Sequence, residues 1–245
     1  MNLIIDIGNT ATKLAVFQLD KIESVQTIAT KEMVFEVEKL LKKFSEIKQG
    51  LLSTVKTMGN LEVEMLQKML PIKILEASFK MPFKNCYDTP LTLGVDRLAL
   101  MAAAVKQHPN SHVLVIDAGS CITYDFIDAN GHHAGGAISP GRAMRYSALH
   151  IFTENLPLLE PTAVLPAIGT STSSSISLGV EVGIISEIHA HIEAFTQKFG
   201  DFTIILTGGD ANFLIKNIKY TIFADAELIL IGLQNLLMFN TFHEK

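Results

Sequence analysis

Two stretches of this 245-residue chain repeat one phrase: "NLIIDIGNTATKLAVF" at 2–17 and "VLVIDAGSCITYDF" at 113–126. Each opens as an apolar run of strand length, ends on an aspartate and turns through a glycine into a second strand-like run. A carboxylate at the end of a buried strand is costly unless something is there to meet it. Asp6 and Asp117 lie 111 residues apart, and the frames align as Asp6-x-Gly8-Asn9 with Asp117-x-Gly119-Ser120, then Thr12 with Thr123. That spacing predicts two copies of one α/β domain, divided near "QHPNS" (107–111) into residues 1–110 and 111–245.

The pattern around each copy agrees. In the first half, strands are expected at 2–7, 12–19 and about 22–30, and a helix over 32–48 with Val34, Val37, Leu40, Leu41 and Phe44 on one face. Strands follow at 50–55 and 72–77 with a helix between them, then a loop bounded by Pro82 and Pro90, and a helix from "GVDRLALMAAAVKQ". The second half repeats three strands, at 112–117, 121–127 and 132–138, the last two joined by an Asn130-Gly131 hairpin turn. A helix after "SPGRAM", a Pro- and Thr-rich loop over 153–172, a long helix over 173–198, a strand at 203–209, a short helix and a terminal helix complete it.

Apolar residues make up 48% of the chain and charged residues 18%, the balance of a globular protein with a sizeable core. A net charge of −5 leaves no basic excess for phosphate backbones, so no nucleic-acid partner is expected. No apolar stretch reaches membrane-spanning length and no basic leader precedes the first strand, so no membrane partner is expected either. Two cysteines, Cys86 and Cys121, without metal-like spacing fit a reduced, cytoplasmic setting. The neighbouring His132 and His133 point to opposite faces of a strand and read as part of the "DANGHH" hairpin rather than as a metal pair.

The glycine turn explains the aspartate. A Gly directly after a strand lets the backbone bend and present its N–H groups to an anion. Asn9, Thr10 and Thr12 add side-chain donors, and Lys13 adds a full positive charge within reach of a β- or γ-phosphate. Asp6 is itself negative, so its work is to hold a hydrated Mg²⁺ that bridges the phosphates. A capped strand end, with Asp6 accepting backbone N–H groups, is the competing reading for one copy alone. "ILTGGDA" (205–211) is a third glycine signal, a strand running into a Gly-Gly turn and a helix, and suits a flat ring such as adenine.

These three turns resemble the superfamily of acetate and sugar kinases, heat-shock ATPases and actin. With "YDTPLTLGVDRLA" (87–99), "GGAISPG" (135–141) and "IGTSTSSSISLG" (168–179), the chain resembles the type III pantothenate kinases over nearly its whole length. The resemblance implies an α/β fold of two ribonuclease H-like domains, each a mixed sheet flanked by helices, with the active-site cleft between them. It implies transfer of the ATP γ-phosphate to pantothenate, giving 4′-phosphopantothenate at the start of coenzyme A synthesis.

By the same resemblance Asp6, Ile7, Gly8, Asn9, Thr10, Ala11, Thr12, Lys13 and Ser120 contact ATP, which comes with Mg²⁺. Asp96 is the proton acceptor, and Tyr87, Gly94, Val95, Asp96, Arg97 and Thr172 receive pantothenate. Asp117 serves a monovalent cation, K⁺ or NH₄⁺, and a homodimer is implied, to which the apolar helix "SISLGVEVGIISEIHAHIEAF" lends itself.

The chemistry agrees residue by residue. Arg97 offers a planar fork for a carboxylate, and Asp96 can take the hydroxyl proton and aim its oxygen. Plainer alternatives remain: Asp96 as an acidic residue in a helix first turn, Tyr87 as a packed loop aromatic, Thr172 as a helix cap, Asp117 as a partner of backbone amides. Ser120 and Cys121 stand where the family has threonine and a small residue; the serine keeps the hydroxyl, and the thiol is either reactive or an inert strand residue. Two rival functions are another kinase of the superfamily and a non-catalytic regulatory binder.

Overall fold

The structure is a computed structural model that describes residues 1–56, 60–162 and 165–242. The expected loop over 153–172 therefore includes two positions, 163 and 164, outside the described residues.

By contacts the chain forms two compact units, Met1–Pro109 with 131–133 and 227–245, and 110–130 with 134–226. The sequence division at 110/111 differs from this at its end, because residues 227–245 group with the first unit.

In the first unit, β1 (Asn2–Ile7), β2 (Thr12–Gln18) and β3 (Lys21–Ile28) form a meander, followed by α1 (Met33–Lys43), β4 (Gln49–Thr54), α2 (Asn60–Met69) and β5 (Ile72–Ile74). The sheet order is β3-β2-β1-β4-β5, with β1 antiparallel to β2 and parallel to β4. All six residues of β1 are buried, so its near-continuous apolar run reflects cover on both faces rather than alternation. One face carries Leu3, Ile5, Ile7, Leu14, Val16 and Leu52 against Met33, Val37 and Leu40 of α1 and Leu66 of α2.

Two further helices complete the unit. After β6 (Lys84–Asn85) comes α3 (Val95–Gln107), whose residues 97–104 are all buried. It packs against the terminal helix, which is why the chain's last residues belong here. The approach is close: a Cβ at Gly232 would overlap the Ala99 carbonyl oxygen, and Asn235 Nδ2 donates to the Ala102 carbonyl at 2.9 Å. The sequence therefore spends its small residues, Ala99, Ala103 and Gly232, where two backbones meet.

The second unit repeats the plan. β7 (Val113–Ala118), β8 (Cys121–Ile127) and β9 (His132–Pro140) precede α4 (Arg142–Ile151), α5 (Thr172–Phe199), β10 (Thr203–Thr207), α6 (Ala211–Leu214) and β11 (Phe223–Ala224); α7 (Leu228–Phe242) is the terminal helix. The strands run β11-β10-β7-β8-β9, the same order as β5-β4-β1-β2-β3. Two mixed sheets with flanking helices are the expected ribonuclease H-like class. The core sets Leu114, Ile116, Tyr124 and Phe126 against a four-residue stripe on α5, Val180, Ile184, Ile188 and Ile192.

The loop between Pro82 and Pro90 holds one feature its composition did not suggest. β6 pairs in parallel with the first two residues of β9, Lys84 with His132 and Asn85 with His133. No helix among the described residues is long and apolar enough to cross a membrane.

Candidate active site

The end of β1 gathers three polar side chains on one face. Asp6 stands opposite Lys13 across the antiparallel pair and opposite Ser53 across the parallel pair, so all three project from the same side of the sheet. Asp6 is 9% exposed, and burial first, then the negative charge of Asp96, pushes its pKa up to about 6 against the pull of Lys13. The fully buried Ser53 hydroxyl eases that charge from just outside hydrogen-bond geometry. Asp96 reaches the same place from the first turn of α3. The unit thus concentrates two carboxylates, a lysine and an unsatisfied hydroxyl where the sequence expects a metal-bound triphosphate.

The turn after Asp6 is closed by the Gly8 N–H, which donates to the Ala11 carbonyl at 3.1 Å. Asn9 and Thr10 are exposed at its tip, and Gly8 and Ala11 are half-buried. Ile7 and Thr12 point to the opposite face from Asp6 and Lys13. Thr12 is fully buried, with its hydroxyl donating to Thr30 Oγ1 at 3.1 Å. This corrects the expectation of a Thr12 side-chain donor: strand alternation turns that hydroxyl into the core.

At the start of α3, Asp96 Oδ1 accepts the Arg97 backbone N–H at 2.8 Å, which holds the carboxylate against the helix end. A Cβ at Gly94 would overlap that same Oδ1, and the Gly94 backbone (φ −57°, ψ 138°) is open to any residue. The glycine is there for the carboxylate. Val95 is half-buried beside it, and Arg97 is 4% exposed with its Cζ 5.4 Å from the centre of the Tyr87 ring. Tyr87 in turn stacks on His133, ring centres 6.2 Å apart and planes 12° from parallel. The sequence reading placed His133 in a hairpin turn and missed this contact; the short β6 that creates it has no periodicity to detect.

In the second unit, the copy of the turn is one residue tighter. The Gly119 N–H donates to the Cys121 carbonyl at 2.9 Å, so Asp117 faces Thr123 where Asp6 faces Lys13. The matching of Thr12 with Thr123 therefore holds in the sequence frames but not in strand register. A neutral threonine thus stands where the first unit has the lysine. Gly208 (φ +95°) runs so close that a Cβ there would meet both the Ala118 carbonyl and Asp117 Oδ1. Ser120 is exposed, Cys121 half-buried, and Gly141 crosses directly over Gly119 and Ser120 with its N–H donating to the Ser120 carbonyl at 3.1 Å.

Behind this turn lies a buried ionic network. Arg142 Nε donates to Glu181 Oε2 at 2.6 Å, Tyr146 donates to Glu181 Oε1 at 2.8 Å, and Arg142 Nη1 lies 3.6 Å from Asp210. Burial raises the pKa of Asp210, and Arg142 partly offsets the rise. The network ties α4 and α5 to the Gly208-Gly209 turn. At the head of α5, Ser171 and Ser174 form a reciprocal capping box, with Ser174 N–H donating to Ser171 Oγ at 3.2 Å and Ser171 N–H donating to Ser174 Oγ at 2.9 Å. Thr172 is thus not the cap, and its side chain is exposed.

Among the described residues no three His, Cys, Asp or Glu side chains converge into a metal cage.

Comparison with known proteins agrees with this architecture. Chains called type III pantothenate kinase from Christiangramia forsetii and Phocaeicola vulgatus are 45% and 42% identical to it, each alignment covering 98% of this chain and 99% of the relative. A solved structure from Campylobacter jejuni, assigned to the Baf family of transcriptional activators, aligns with a TM-score of 0.61 and 25% identity over 98% of this chain and 99% of that one. The activator of 2-hydroxyisocaproyl-CoA dehydratase from Clostridium difficile, solved with ADPNP, shares the fold at a TM-score of 0.52 and 14% identity, over 99% of this chain and 94% of that one. The family model described as type III pantothenate kinase matches residues 2–194, and the chain belongs to that family.

Proposed function

We propose that this chain transfers the γ-phosphoryl group of ATP to the primary hydroxyl of pantothenate, forming 4′-phosphopantothenate for coenzyme A biosynthesis, with Asp96 as proton acceptor. The observation that carries the assignment of the base is the meeting of Asp96 with Asp6 and Lys13 in one unit, each delivered by a rigid element end. Phosphoryl transfer asks chiefly for positioning and charge compensation, and the carboxylate at the start of α3 is fixed by the Arg97 N–H and the space at Gly94. Asp96 accepts the hydroxyl proton and orients the attacking oxygen; Lys13 and the backbone from Asp6 to Thr12 hold the phosphates.

The family implies ATP and a divalent metal. Asp6 and Ser53 form a fitting donor set for a hydrated Mg²⁺, which when bound neutralises phosphate charge. Tyr87, Gly94, Val95 and Arg97 receive pantothenate, with the Arg97 guanidinium matched to its carboxylate. Asp117 holds K⁺ or NH₄⁺; its support is its place before the glycine turn of β7 and β8, matching that of Asp6 before the turn of β1 and β2. A cytoplasmic homodimer completes the reading and is checked by molar mass in solution.

The test is direct detection of phosphorylated pantothenate by mass spectrometry with ATP and Mg²⁺. Product that depends on both substrates supports the kinase. Nucleotide binding without product favours a regulatory binder, the reading to which the Campylobacter jejuni structure gives a foothold.

A further inference from the structure

We infer that His133 is a positioning residue for the acid substrate, acting through the Tyr87 ring on Arg97. The inference rests on the reading that Tyr87 and Arg97 receive pantothenate. His133 is fully buried, and its ring is the middle member of a run of π contacts within the first unit. Phe83 meets it edge-on at 6.2 Å and 78°, Tyr87 lies nearly parallel to it at 6.2 Å and 12°, and the Arg97 guanidinium sits 5.4 Å from the far member, Tyr87. Aromatic pairs prefer these offset and edge-on geometries, and a guanidinium is held by the ring face.

The backbone makes the same connection. The Lys84 N–H donates to the Gly131 carbonyl at 2.8 Å and the Cys86 N–H to the His133 carbonyl at 3.2 Å, while the Tyr87 N–H donates to Asn85 Oδ1 at 3.0 Å. Gly131 takes φ +74°, the conformation that lets the hairpin deliver His132 and His133 to β6. The hairpin pins the loop's backbone, and the His133 ring fixes the rotation of Tyr87 and so the face it offers to Arg97. Arg97 cannot settle elsewhere without leaving that face.

Because the ring acts on substrate alignment, its loss is expected in the KM for pantothenate and not in the KM for ATP. The discriminating pair is His133→Leu, which keeps buried apolar volume without a π face, and His133→Phe, which restores the face without an imidazole. His133→Leu is expected to raise the pantothenate KM about tenfold while the ATP KM stays within about twofold, and His133→Phe to return the pantothenate KM to near the wild-type value. The inference is overturned by an unchanged pantothenate KM in His133→Leu, by equal rises for both substrates, or by a His133→Phe enzyme as impaired as the leucine variant. Should His133→Leu lack a cooperative thermal transition, the phenylalanine variant decides alone, since a raised pantothenate KM in that folded protein overturns the proposal and a wild-type value supports it. Wild-type protein without pantothenate-dependent turnover overturns the kinase reading itself, whereas wild-type turnover with a silent His133→Leu overturns only this inference.

Discussion

Gly94 leaves open the volume that the Asp96 carboxylate occupies: a Cβ added at position 94 would overlap Asp96 Oδ1, while its backbone angles suit any residue. The cost of Gly94→Ala therefore falls on the carboxylate and spares the fold. Asp96 must swing to another rotamer, away from the Arg97 N–H and out of line for the reacting hydroxyl. A drop in kcat of about ten- to a hundredfold is expected, since small misplacements of a reacting group have effects of that order. The thermal midpoint should move by no more than about 2 °C, in keeping with a substitution worth under ~0.5 kcal/mol. An unchanged kcat would mean that the carboxylate orientation seen here is not the one that works.

Asp6 is held in a place that disfavours its charge, and this gives stability a definite dependence on pH. Its folded pKa, about 6, lies above the ordinary 3.8 because burial and Asp96 oppose ionisation. Between those values the folded chain binds more protons than the unfolded one, so the group's contribution to stability falls as pH rises from about 4 to 6 and is constant above. By that linkage the charged carboxylate costs the apoprotein on the order of 3 kcal/mol at neutral pH. Asp6→Asn should accordingly raise the unfolding free energy at pH 7.5 by about 1–3 kcal/mol, with the gain fading towards pH 4, while activity collapses. Denaturant titrations of both proteins in EDTA at the two pH values measure it; a variant that is less stable at pH 7.5 contradicts the description of this site.

Gly232 lets α7 lie against α3, with the Ala99 carbonyl where a Cβ would go. Gly232→Ala would ordinarily favour a helix by about 1 kcal/mol. Here the obstacle is backbone, which cannot rotate aside, so the helices must part and a net loss of about 2–4 kcal/mol is expected. Because α3 carries Asp96 and Arg97, kcat should fall with stability. A stabilised variant would show that the two helices are not packed this closely.

Much of this was legible in the chain. Both Asp-x-Gly turns, the three-strand meanders and the alternation of helices and strands follow from apolar runs punctuated by Gly and Pro, and the frames around Asp6 and Asp117 disclose the duplication. What escaped is what depends on register. The second turn is one residue tighter, which puts Thr123 opposite Asp117; aligned motifs cannot reveal it, because hydrogen bonding in the turn sets the pairing. The same alternation that turns Lys13 to the side of Asp6 buries Thr12. β6 and β11, two residues each, are too short for any period to register, and so the contact of His133 with Tyr87 was hidden. The packing of α7 within the first unit is a tertiary fact that its largely apolar sequence could not specify.

The central claim is that Asp96 serves pantothenate phosphorylation and that Asp117 takes a monovalent cation. The measurement that tests it most directly is ADP release from ATP and Mg²⁺ with pantothenate, in potassium and in sodium, for the wild type, Asp96→Asn and Asp117→Asn. Pantothenate-dependent turnover that needs potassium is predicted, lowered at least about a hundredfold in Asp96→Asn, as for loss of a general base, and insensitive to the choice of cation in Asp117→Asn. Turnover that survives in folded Asp96→Asn, or wild-type protein that releases no ADP in response to pantothenate, would contradict the account.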